Sequence, residues 1–210
     1  MDNEFFPEGY KAPQGNYMKL QDGENTFRVL SLAVVGWEYW NAENKPVRSK
    51  TQIMGIPEDI RYEDGKPSPI KHFWAFCVWN YEAGRVQILE ITQSTIQTAI
   101  KSYIGNKRWG SPKGYDLTVT RSGSGFDTEY VVMANPHSPL LKEAEEEYKA
   151  RKINLDALFT GADPFDSKVI GLMPEDEVRE HEKEIEIAES GLPKIPPTEE
   201  EIRLGAEPNI

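Results

Sequence analysis

The sequence predicts a mainly β fold: a small five-stranded barrel with one helix between its third and fourth strands, followed by an acidic tail, part helical and part disordered. Three observations carry this. Residues 1–135 hold 15 Lys/Arg against 16 Asp/Glu, whereas residues 136–210 hold 9 against 19, so nearly all of the net charge of −11 lies in the last third. All five Trp (Trp37, Trp40, Trp74, Trp79, Trp109) precede residue 110, and beyond residue 135 only Tyr148, Phe159 and Phe165 remain. Between residues 17 and 136, runs of β-branched and aromatic residues are separated by Gly and Pro turn signals. The expected plan is an N-terminal arm at 1–16, a barrel domain at 17–136, an acidic helical appendage at 137–190 and a disordered acidic tail at 191–210.

Thr26–Trp40 reads as a long first strand, with Gly36 expected to mark a bulge or bend. Asn41–Pro69 reads as a long loop. Lys71–Tyr81 and Arg85–Ile91 are the second and third strands, joined through Glu82-Ala83-Gly84 as a hairpin. Pairing them places Trp74, Phe76 and Val78 with Leu89 and Ile91 on one face, expected to be core. Lys71, Phe73, Ala75, Cys77 and Trp79 fall on the other, expected to line a groove. A helix follows, capped by Thr92 or Ser94 and ended by Gly105, with Ile96, Ala99, Ile100, Tyr103 and Ile104 as its apolar stripe. Tyr115–Arg121 alternates as a half-buried fourth strand, Ser122-Gly123-Ser124-Gly125 turns the chain, and Thr128–Ala134 is the fifth. Strand, long loop, hairpin, helix, hairpin is the order of the OB-fold, a small Greek-key barrel. In the tail, Pro139–Lys152 and Pro174–Ser190 read as charged helices, the first with its acidic block leading and Lys149, Arg151 and Lys152 closing, as the helix dipole favours. Leu155, Leu158 and Phe159 are expected to dock on the barrel.

Enzyme signatures are absent from the sequence. His72, His137 and His181 are scattered and Cys77 is alone, so neither a metal site nor a cofactor is expected. The Gly-Ser-Gly turn lacks the Lys-Ser/Thr of a phosphate loop. No basic leader opens the chain, no apolar run approaches the roughly 20 residues of a membrane span, and a single Cys fits a reducing compartment; a cytoplasmic protein without a membrane partner is expected. Aromatic and basic residues, in contrast, are interleaved: Trp37 and Tyr39 before Arg48 and Lys50; Lys71 and Phe73, with Trp79 further along the same strand; Lys107, Arg108, Trp109 and Lys113; and Arg121 closing the fourth strand. A flexible single strand of nucleic acid is held by flat π-faces for its bases and cations along its phosphates, each stack contributing about 1–3 kcal/mol. These twelve residues are the expected DNA-binding set, although aromatics in strands are more often core than platform.

The segments Tyr17-Met18-Lys19-Leu20-Gln21-Asp22-Gly23-Glu24-Asn25, Phe27-Arg28-Val29-Leu30, Gly36-Trp37-Glu38-Tyr39-Trp40, Lys71-His72-Phe73-Trp74-Ala75-Phe76, Gln87-Ile88-Leu89-Glu90-Ile91 and Lys113-Gly114-Tyr115-Asp116-Leu117 resemble the single-stranded DNA-binding proteins of tailed bacteriophages, over about residues 15–136. The resemblance implies sequence-independent binding of single-stranded DNA in phage replication, recombination and repair, in the cytoplasm of the infected host. It also implies an acidic tail that recruits polymerase, helicase or primase and competes with DNA, and it is compatible with a homodimer. This chain ends Ala206-Glu207-Pro208-Asn209-Ile210, without the terminal aromatic of some relatives. The alternative expectation is an acidic protein-interaction module or DNA mimic that inhibits a nuclease, which would not need cations crowded around aromatics.

Overall fold

The computed structural model describes residues 15–166; the expected second tail helix at 174–190 and the tail from residue 191 lie outside them. The elements are β1 (Tyr17–Met18), β2 (Gly23–Val29), β3 (Val34–Trp40), β4 (Pro46–Ser49), β5 (Tyr62–Glu63), β6 (Lys66–Pro67), β7 (Lys71–Asn80), β8 (Arg85–Ile91), α1 (Ser94–Gly105), β9 (Tyr115–Ser122), β10 (Glu129–His137), α2 (Lys142–Arg151) and α3 (Ala157–Thr160). The fold is mainly β, and its helix α1 lies between the third and fourth expected strands. The pairings run β1-β8-β7-β2-β9-β10, with β3 joined to both β7 and β4. Among the described residues, only β1 on β8 is parallel. The sheet does not close into the expected barrel: among the described residues no strand pairing joins β8 to β10, and the side chain of Tyr103 on α1 instead donates to the Val132 carbonyl at 3.2 Å.

The expected first strand is two strands. Val29 pairs with Val78 but Val34 pairs with Ala75, so the register slips by two residues across Leu30–Ala33. Ser31 satisfies the displaced backbone, its hydroxyl accepting from the Cys77 N–H at 2.9 Å and donating to the Leu32 carbonyl at 2.7 Å. A bulge of this kind re-aims side chains, and here it turns Leu32 and Ala33 outward. The expected long loop contains β4 and the small β5–β6 hairpin. The β7–β8 turn forms as expected, with Asn80 Oδ1 accepting from the Glu82 and Ala83 N–H groups. Gln93, which makes no side-chain cap bond, occupies the cap position expected for Thr92 or Ser94.

Trp74, Phe76, Val78, Leu89 and Ile91 form the core with Phe27, Ile96, Ile100, Tyr115, Leu117 and Val119, as expected of that face. The opposite face of β7 is not a groove. Phe73, Ala75, Cys77 and Trp79 are each no more than 5% exposed, and the appendage packs on this side. Leu155 and Leu158 are buried, Phe159 packs on Phe73 with ring centroids 5.8 Å apart, and Arg151 Nη1 donates to the Val86 carbonyl at 2.8 Å. Two buried faces explain why β7 is apolar throughout. Burial also pushes the Cys77 thiol up to about 12, leaving it protonated and inert.

Gly36 is required by the close approach of β4 and of this covering layer rather than by a bend. A Cβ there would lie 2.5 Å from the Ser49 carbonyl oxygen and 2.8 Å from Phe159 Cε1. Gly36→Ala is therefore expected to lower stability by about 1–3 kcal/mol, the usual cost of overpacking, read as a lower urea midpoint with an unchanged slope.

Candidate nucleic-acid interface

The twelve expected binding residues separate by environment. Tyr39 is buried, and its hydroxyl donates to Asp59 Oδ1 at 2.7 Å; burial first, then that carboxylate, pushes the phenol up to about 12. Phe73 packs on Phe159 of the appendage, and Trp79, on the same face of β7, is 5% exposed. Arg48, its side chain 10% exposed, donates through Nη2 to both Glu90 oxygens at 2.8 and 2.9 Å, lies 3.3 Å from Glu38 and sits over the Phe73 ring. Its charge is consumed inside the fold. Burial holds the Glu38 carboxyl above its ordinary range even with Arg48 beside it. Lys50 pairs with Asp156 at 2.6 Å and lies over Phe159, and Arg121 pairs with Asp22 at 2.8 Å. These six are buried or paired within the fold and do not form a groove.

Of the other six, all but Lys71 lie on or beside the face that carries α1. Register pairs Trp37 with His72 and Val35 with Trp74, and directly paired residues share a face. Trp37 is half-buried and edge-on to His72 with centroids 5.3 Å apart, whereas Lys71, exposed, pairs with Glu38 and falls with Phe73 on the opposite face. Beyond α1, Lys107 and Arg108 are exposed in the turn that follows the helix. Trp109 is half-buried, edge-on to Tyr103 and Tyr115 and stacked at 18° on His137. The imidazole Nε2 of His137 lies 3.1 Å from the Arg108 carbonyl. Trp109 thus anchors the cationic turn as much as it offers a face.

Between these two ends lies an open cleft of about 370 Å³, lined by Leu32, Ala33, Trp74, Phe76, Ile104 and Lys113 among others. Lys101 Nζ stands 5.4 Å from the centroid of the Trp74 ring. Lys101, Leu32 and Ile104 were missed by sequence reasoning. Ile104 is the stripe's outermost residue and remains 47% exposed. An apolar stripe that runs past its core was the available signal. Lys113 enters the lining because its carbonyl, like that of Ser138, accepts from the buried Arg28 guanidinium, at 3.4 and 3.0 Å.

Among the described residues, no cluster of three or more His, Cys, Asp or Glu is arranged to hold a metal, and no helix is long and apolar enough to cross a membrane. Comparison with protein-family models, curated proteins and solved structures finds no match for this chain.

Proposed function

We propose that this protein is a sequence-independent single-stranded DNA-binding protein built on an open OB-type sheet, acting without a cofactor or a catalytic centre. The pairings of the first expected strand with the second and fourth, the second with the third and the fourth with the fifth fit a five-stranded Greek-key barrel that is partly open, as OB-folds are. The observation that carries the functional reading is the surface beside α1. Trp37 and His72 lie at one end, Trp74 under Lys101 in the middle, and Lys107, Arg108 and Lys113 at the other. Interleaved π-faces and cations of this sort suit bases and phosphates of an unpaired strand. The hydroxyls that line the cleft, on Ser31 and Ser111, already bond local backbone, which favours binding without regard to sequence. A role in phage DNA replication, recombination and repair, with replication proteins recruited by the acidic tail, extends the same proposal.

The test is a fluorescence titration with oligo-dT. Tryptophan emission should be quenched with sub-micromolar affinity, in the range where stacking and phosphate contacts act together. A duplex of the same length should bind more weakly. Equal affinity for the two would overturn the stacking argument.

A further inference from the structure

Cations along a surface do not explain a preference for single strands, because duplex DNA presents phosphates more densely. The cleft beside Trp74 offers a reason. The bulge at Leu30–Ala33 turns out Leu32, which is 61% exposed, and the apolar stripe of α1 delivers Ile104 to the same opening. Two large aliphatic side chains held in water at the mouth of a cleft, whose floor is the exposed edge of the core residues Trp74 (8% exposed) and Phe76 (3% exposed), make an apolar slot with nothing in the described structure to fill it. Lysines accompany it: Lys101 above the Trp74 ring, and Lys113 in the lining.

Resting on the reading above, we infer that this cleft takes one unstacked nucleobase, lying against Trp74 between Leu32 and Ile104, with the flanking phosphates beside Lys101 and Lys113. Charge selects this occupant. A planar apolar ring joined to phosphodiesters suits both the apolar slot and the positive charge beside it, whereas a neutral apolar ligand or peptide makes no use of that charge. A base in a duplex enters only after unpairing and unstacking, which costs free energy that a single strand does not spend. The slot is then the element that separates single strand from duplex, and its apolar lining accepts any base.

Ala33 is exposed at the cleft, so Ala33→Leu narrows the slot without entering the core. With an oligo-dT of about a dozen nucleotides, within the usual site sizes, this variant should bind roughly tenfold more weakly, the equivalent of one lost stack. Its duplex affinity should equal that of the wild type. An abasic strand of the same length should bind the wild type more weakly than oligo-dT does, and Ala33→Leu should weaken it no further. Should Ala33→Leu melt at lower temperature, Ile104→Ala serves instead, since it trims a half-exposed side chain and should give the same selective loss. Oligo-dT affinity unchanged in both variants would overturn the slot while leaving single-strand binding to the rest of the surface. A wild type that does not bind oligo-dT would overturn the binding reading itself.

Discussion

Arg28→Met is expected to cost about 3 kcal/mol, the lower end of what breaking a buried ion pair costs. For a chain of this size that corresponds to a melting temperature lower by roughly 6–12 °C. Arg28 is 1% exposed, and its guanidinium is bonded on every side. Nε donates to Asp116 Oδ1 at 2.7 Å, Nη2 to Ser138 Oγ at 2.7 Å, and Nη1 to the carbonyls of Ser138 and Lys113. Tyr81 adds a hydroxyl to the same Asp116 oxygen at 2.9 Å. A charge taken out of water is tolerated only when its donors are satisfied in this way. Met fills much of the volume but leaves the Asp116 carboxylate with Tyr81 as its remaining named partner, and frees two carbonyls. The low end of the range applies because Asp116 retains 19% of its side-chain exposure and can rehydrate in part. Pairing the change with Asp116→Leu should recover a good part of the loss, since the uncompensated carboxylate goes with it. Thermal melts of the two single variants and the double check this; additive losses would mean that Arg28 acts mainly through Ser138 and Lys113.

Much of the fold is legible in the sequence because its signals are local. The stripe of α1, the alternation of β9 and the Asn80–Gly84 turn follow from residues a few positions apart. What is not legible depends on partners distant in sequence. The run Leu30-Ser31-Leu32-Ala33-Val34-Val35 contains no Gly or Pro, so nothing in it announces a two-residue slip. That slip exists because Ser31 can stand in for backbone opposite Cys77, 46 residues away. Arg48 sits among aromatics and reads as a DNA contact until Glu90, 42 residues on, closes over it. The two apolar faces of β7 look equivalent, and choosing the groove from them fails because the cover comes from Leu155, Leu158 and Phe159. Those residues are visible as a docking signal, but the face they would cover is not. Gly36 is conspicuous in the sequence for a reason that only the approach of Phe159 and Ser49 supplies.

Lys107→Ala with Arg108→Ala should flatten the salt dependence of oligo-dT binding and lower affinity at low salt by tenfold or more. Each phosphate neutralised on a single strand releases about 0.7 of a counterion, so losing two contacts reduces the slope of log affinity against log salt by about 1.4. Both residues are exposed on the turn that Trp109 holds against Tyr103, Tyr115 and His137. The substitutions should therefore leave the melting temperature within the small range typical of surface changes. Because the effect is electrostatic, the curves for variant and wild type should converge as salt approaches about 0.5 M, where screening confines each charge to a few ångströms. Loss of a stacking platform behaves differently: it lowers affinity by a similar factor at every salt concentration and leaves the slope unchanged. Titrations of the double variant and of Ala33→Leu across the same salt series therefore separate the two kinds of contact. A double variant with a wild-type slope would mean that Lys107 and Arg108 do not touch phosphate, and would move the cationic end of the path to Lys113 and Lys101.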